Sequence, residues 1–97
     1  MNKNIIPYGR QSIDKKDIKN VVSVLRSDFL TSGPIVKRFE KEISKYSNSR
    51  FSVSANSATS ALHIACLALG LRKDDILWTT PITFVASANC ALYCGAK

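Results

Sequence analysis

The segment Ala61-Leu62-His63-Ile64-Ala65-Cys66-Leu67-Ala68-Leu69 is apolar on almost every face. A helix of this kind must be covered on several sides, so it constrains the fold more than any other stretch. Phe51-Ser52-Val53-Ser54 ahead of it reads as a short strand. A turn of small residues, Ala55-Asn56-Ser57, follows, and the helix is expected from about Thr59 to Leu69, with Gly70 as its stop. Lys73-Asp74-Asp75 then makes a turn, and Ile76-Leu77-Trp78-Thr79 reads as a second short strand. The loop Thr80-Pro81-Ile82-Thr83 leads into a third apolar segment, Phe84–Tyr93, expected as a helix that Gly95 closes. A further strand is expected where the sequence reaches Lys97. Short strands alternating with buried helices imply an α/β fold with a parallel sheet. Two strands cannot cover two such helices. The 97 residues are therefore expected to be the N-terminal piece of a longer protein, or half of an obligate assembly.

The first half is built differently. Asn4–Gly9 reads as extended, with Pro7 biasing Ile6 away from helix. Asp14 is a good N-cap with Asp17 three residues on, and Ile13 can staple against Ile18. Ile18, Val21, Val22 and Leu25 form one apolar stripe of a helix expected to end near Ser27. The loop Asp28–Gly33 follows. Gly33 there permits an unusual backbone angle or a close approach, and Pro34 suits the first position of the next helix. Val36, Phe39, Ile43 and Tyr46 are that helix's apolar stripe; Lys37, Lys41 and Lys45 share its solvent face, with Arg38, Glu40 and Glu42 nearby. Ser47-Asn48-Ser49 ends it.

Charge and cysteine content narrow the function classes. The net charge is +7, and residues 1–50 hold eleven of the fourteen Lys and Arg. A small basic module that binds nucleic acid is one reading. Solvated helix faces are the simpler one, because the cations alternate with apolar residues at helical spacing and no aromatics interleave for base stacking. No apolar run is long enough to span a bilayer, and the N-terminus lacks the apolar core of a signal peptide. Cys66, Cys90 and Cys94 lack CxxC spacing and read as free thiols, which suits a cytoplasmic location. His63 and Cys66 would make an incomplete zinc site, and no acid is placed to finish it, so no metal is expected. No Ser–His–Asp or Cys–His arrangement is visible. Asp74-Asp75 reads as a turn cap rather than a catalytic pair.

Two stretches remain as candidate chemistry. At Asn56–Ser60 a strand passes into a helix through small polar residues. The helix's first N–H groups, its dipole and the hydroxyls of Ser57, Thr59 and Ser60 could together cradle a phosphate. The same residues also make an ordinary N-cap. The second stretch is the loop Thr79–Phe84. In a parallel α/β sheet, ligands gather beyond the C-terminal ends of strands, and both stretches follow strands. A phosphate at Ala58-Thr59 and a flat ring against Phe84 would then suit a phosphorylated aromatic ligand, whereas Phe84 could equally be a core aromatic.

Four segments, in order, carry a family resemblance. They are Leu30-Thr31-Ser32-Gly33-Pro34-Ile35-Val36 with Phe39-Glu40; Asn56-Ser57-Ala58-Thr59-Ser60-Ala61-Leu62-His63; Thr80-Pro81-Ile82-Thr83-Phe84-Val85-Ala86-Ser87-Ala88-Asn89; and Gly95-Ala96-Lys97. Across nearly the whole chain they resemble the N-terminal part of the DegT/DnrJ-type nucleotide-sugar aminotransferases. These are fold-type I enzymes dependent on pyridoxal 5'-phosphate (PLP). The branch most similar is the one that aminates the 4-keto group of a UDP-linked 4-keto-6-deoxy-N-acetylhexosamine in pseudaminic acid biosynthesis.

The resemblance implies that residues 1–97 are the N-terminal segment of the large, PLP-binding domain, a three-layer α/β/α architecture around a mostly parallel sheet. Ser57, Ala58 and Thr59 would bind the cofactor phosphate, and Phe84 would stack on its ring. Thr31 and Gly33 would lie near the sugar, with Tyr8 approaching the nucleotide-sugar. Many members of the family have Gly where this chain has Ala58, which is tolerable where the backbone there is helical. Glutamate would be the amino donor and a homodimer the working form. The Schiff-base lysine, the carboxylate that pairs with the pyridine nitrogen and the C-terminal domain have no counterpart among these residues. No catalytic residue is therefore assigned here, and the chain alone is expected to be inactive. A truncated, non-catalytic partner of a full-length aminotransferase is a further alternative.

Overall fold

The computed structural model describes residues 6–97. Part of the expected extended stretch Asn4–Gly9 falls outside that range. The described residues form four helices: α1, Lys15–Leu25; α2, Pro34–Ser47; α3, Ala58–Ala68; and α4, Ala86–Tyr93. The chain divides into two compact units, one up to Phe39 and one from Glu40 to Lys97, with the boundary inside α2.

In the first unit, local chemistry sets where the helices begin. Asp14 accepts from the N–H groups of Lys16 (2.6 Å) and Asp17 (2.9 Å), while the Asp17 carboxylate accepts from the Asp14 N–H at 2.9 Å. This is a complete capping box, formed where Asp14 and Asp17 predict it. The helix ends at Leu25 with Arg26 as C-cap, slightly earlier than the expected Ser27. Pro34 opens α2, and the Gly33 carbonyl accepts from the Val36 N–H at 3.1 Å. Gly33 is buried, and its φ lies outside the left-handed region, which Ser32 occupies instead with φ 50°. Gly33 is required by close approach: a Cβ there would stand 2.7 Å from the Cβ of Phe29.

In the second unit, α2 ends with Asn48 at φ 52° and the Ser49 N–H donating back to the Ser44 carbonyl at 3.0 Å. This is a left-handed C-terminal cap that satisfies orphan carbonyls. Gly70 and Gly95, both at φ 76°, close α3 and α4 in the same way. The returning bonds run from Leu71 to Cys66 and from Ala96 to Ala91, each 3.0 Å. α4 begins at Ala86, two residues later than expected. Val85 supplies no side-chain cap, so Phe84 stays in the loop ahead of the helix.

α3 and α4 pack on one another. The buried residues there are small: Cys66, Ala86, Cys90, Ala91 and, beyond α4, Ala96. Small side chains allow close helix packing but bury little area. Leu62, Ile64 and Leu67 of α3 remain exposed, as does Trp78 at 92%. Each such residue would contribute about 1.5–3 kcal/mol if fully covered.

Neither segment expected as a strand is assigned as one among the described residues. A strand is recognised by its hydrogen-bond ladder, and only the second segment has the beginnings of one. Along residues 51–54 exposure alternates, with Phe51 and Val53 outward and Ser52 and Ser54 half-buried. That is the two-residue period of extended chain. At the second segment, the Lys97 N–H donates to the Asp75 carbonyl at 2.9 Å and the Leu77 N–H donates to the Lys97 carbonyl at 2.8 Å. One residue bonded to two others spaced i and i+2 is the pattern of parallel pairing. Lys97 thus pairs with the second of these segments, although no strand is formed there.

Candidate functional site

Ser57, with extended backbone, caps α3. Its Oγ accepts from the Ser60 N–H at 3.2 Å and donates to the Ser60 Oγ at 3.1 Å. The Ala61 N–H takes the Ser57 carbonyl at 3.0 Å, starting the helical ladder. The N–H groups of Ala58 and Thr59, at the first two helical positions, have no intrahelical acceptor by the geometry of a helix start. The first turn contains no acidic side chain to compete for them. Ala58 is exposed and Thr59 half-buried. Ala58 is helical, the condition under which alanine can stand in place of glycine.

Phe84 is 73% exposed in the loop before α4, so in this chain it is not a core aromatic. Its carbonyl accepts from the Ser87 N–H at 3.0 Å, and Thr83 Oγ1 lies 3.1 Å from Ser87 Oγ. These bonds hold the loop that presents the ring. Ser57, Ala58, Thr59 and Phe84 all belong to the second unit. Tyr8, Thr31 and Gly33 belong to the first, where Tyr8 and Thr31 are exposed and Gly33 is buried against Phe29.

The other residues singled out from the sequence take structural places. His63 is half-buried and meets Tyr93 edge-on, with ring centroids 5.3 Å apart. Cys66 and Cys90 are buried and Cys94 half-buried, all as free thiols. Burial pushes the Cys66 thiol above its ordinary value, and the hydrogen bond with Cys90 and the proximity of Cys90 and Cys94 push it the same way. Among the described residues, no group of three His, Cys, Asp or Glu is placed to hold a metal. The Asp75 carboxylate caps its turn by accepting from the Arg72 N–H at 2.9 Å.

Glu40 differs from its expected place near the solvent face. It is half-buried, and one carboxylate oxygen accepts from both the N–H (2.8 Å) and the hydroxyl (2.9 Å) of Ser54. The signal lay in the spacing. Val36, Phe39, Glu40 and Ile43 are i, i+3, i+4 and i+7, so Glu40 falls on the apolar stripe of α2, where a partly buried charge needs a partner. The partner itself lies fourteen residues away and had no local signature.

Comparison with known proteins identifies the family to which this helix start and its neighbouring loop belong. The chain belongs to the DegT/DnrJ/EryC1/StrS aminotransferase family, whose pattern matches residues 11–97. It is 45% identical, over 96% of its length, to the UDP-4-amino-4,6-dideoxy-N-acetyl-beta-L-altrosamine transaminase of Campylobacter jejuni subsp. jejuni serotype O:23/36. It is 37% identical over the same share to the spore coat polysaccharide biosynthesis protein SpsC of Bacillus subtilis. Its structure matches a sugar aminotransferase of Streptococcus pneumoniae in its PLP form, with a TM-score of 0.88, 33% identity and 95% of this chain covered. An aminotransferase of Psychrobacter cryohalolentis matches with a TM-score of 0.82 and 28% identity over 93% of the chain. The chain spans about a quarter of the length of these relatives. The chain is thus part of an α/β, fold-type I architecture, and its described residues form helices only.

Proposed function

We propose that the protein to which these residues belong is a PLP-dependent nucleotide-sugar aminotransferase. It transfers an amino group from glutamate to the 4-keto group of a UDP-4-keto-6-deoxy-N-acetylhexosamine. The observation that carries this reading is the 45% identity to the altrosamine transaminase, and the start of α3 is compatible with it. Bound PLP would supply the electron sink that lets nitrogen pass from amino acid to keto sugar. The N–H groups of Ala58 and Thr59, the Thr59 hydroxyl and Ser57 would hold its phosphate, with the helix dipole favouring the anion. Phe84 would lie against its ring and orient it. Thr31, Gly33 and Tyr8 would line the approach of the UDP-sugar. The family's Schiff-base lysine has no counterpart here, so these residues bind and orient but do not themselves transfer the amino group. The working form on this reading is a homodimer in the cytoplasm, where free cysteines such as these persist.

The test is made on the whole protein. Incubated with PLP, glutamate and the UDP-4-keto sugar, it should release 2-oxoglutarate in step with the aminated sugar. Thr59→Val removes one hydroxyl hydrogen bond to the phosphate and should weaken PLP affinity about 3- to 10-fold, measured by equilibrium dialysis. PLP binding that ignores both Thr59 and Phe84 would remove the cofactor assignment.

A further inference from the structure

We infer that Glu40 is a positioning residue for the phosphate-binding turn: its carboxylate fixes Ser54, the upstream end of the turn whose downstream end is the Ser57 cap. This rests on the reading of Ser57–Thr59 as the phosphate site. The turn between the two anchors consists only of Ala55 and Asn56. Neither brings a bulky side chain to hold the backbone in place. Downstream, Ser57 is tied to Ser60 through its backbone N–H at 3.2 Å and its hydroxyl at 3.1 Å. Upstream, one Glu40 oxygen receives both Ser54 donors at 2.8 and 2.9 Å. A carboxylate taking two hydrogen bonds is a stronger tether than a neutral pair, and partial burial shields it from water. Glu40 itself sits on α2, a fourteen-residue helix closed by the left-handed Asn48, so the anchor belongs to regular, hydrogen-bonded structure.

The consequence concerns the phosphate rather than the ring. Binding an anion on backbone N–H groups depends on their direction, and a small misplacement at such a site is costly. Releasing Ser54 frees one end of the turn that aims Ala58 and Thr59. The ring contact at Phe84, held by its own loop bonds to Ser87, is untouched.

The experiment compares PLP with pyridoxal, which lacks the phosphate, on the whole protein, by equilibrium dialysis. Glu40→Ala should weaken PLP affinity about 10- to 30-fold and leave pyridoxal affinity within about 2-fold. Glu40→Gln keeps an acceptor oxygen and should lose only about 3-fold, and Ser54→Ala, which removes the hydroxyl bond alone, about the same. In Glu40→Ala the amides of residues 54–57 should also exchange faster, with those of α1 unchanged. Equal losses for the two ligands would mean that Glu40 serves only general stability, and the inference falls. No loss in any variant overturns it as well. Should Glu40→Ala fail to fold, the Glu40→Gln and Ser54→Ala ratios decide alone. If Thr59→Val weakens PLP while the Glu40 and Ser54 variants do not, the phosphate site stands and the positioning role is wrong. If Thr59→Val is also silent, the phosphate site itself is wrong.

Discussion

Gly33→Ala puts the close approach at the start of α2 to a direct test. The added Cβ would stand 2.7 Å from Phe29 Cβ, 3.5 Å from the Phe29 carbonyl oxygen and 3.6 Å from its Cγ. Ordinary contact begins near 3.4 Å, so the two segments must separate by about 0.7 Å. The obstacle is Phe29 Cβ, one bond from the main chain, which no rotamer change can move. Overpacking of this kind costs about 1–3 kcal/mol. The lower entropy of the unfolded alanine chain returns about 0.4–1 kcal/mol. A net loss of about 1–2 kcal/mol remains, roughly a 5- to 30-fold rise in local opening. The natural reporter is the Val36 amide, which donates to the Gly33 carbonyl at 3.1 Å. Its hydrogen exchange should quicken about tenfold in Gly33→Ala. Phe29→Gly should restore it, because it removes the obstructing atom, whereas Phe29→Ala should not. Unchanged exchange, or rescue by Phe29→Ala as good as by Phe29→Gly, would refute the close-packing argument.

Other outcomes follow from the same structure. Asp14→Ala removes two acceptor contacts and breaks the capping box of a helix that buries no residue of its own, so α1 should lose about 1–2 kcal/mol, visible as reduced far-ultraviolet dichroism. Phe84→Ala should leave thermal unfolding nearly unchanged, because the ring is exposed, yet weaken PLP affinity; a large fall in melting temperature would show the ring to be structural. Burial raises the Cys66 thiol above its ordinary 9.0, so the folded state favours the protonated form. The stabilisation is whole below that ordinary value and is lost as pH rises through it toward the raised one. Iodoacetamide should therefore modify Cys66 more slowly than an unfolded cysteine, and α3–α4 packing should loosen on the alkaline side; modification of Cys66 at the unfolded rate would contradict this.

What was legible in the sequence was what short-range chemistry decides. Asp14 with Asp17, Gly33-Pro34, Ser57, Gly70 and Gly95 mark helix ends because the groups they satisfy lie within one turn of them. Their backbone and hydrogen-bond geometry appears in the fold where those residues stand. The start of α3 was legible for the same reason: a helix start displays its own N–H groups and its capping residue. What was not legible lay between residues distant in the chain. Glu40 reads as another charge on a basic, amphipathic helix until the fold brings Ser54 to it across fourteen residues. The parallel-type pairing at Asp75 and Leu77 shows only where Lys97 arrives to bond them. The packing of Cys66 on Cys90, and of His63 on Tyr93, depends on how two helices lie together, which no spacing within either helix records. By itself, then, the sequence determined the helices, their caps and the family. Tertiary structure alone decided which polar groups face one another, because a hydrogen bond between remote residues forms only after the intervening chain has folded back.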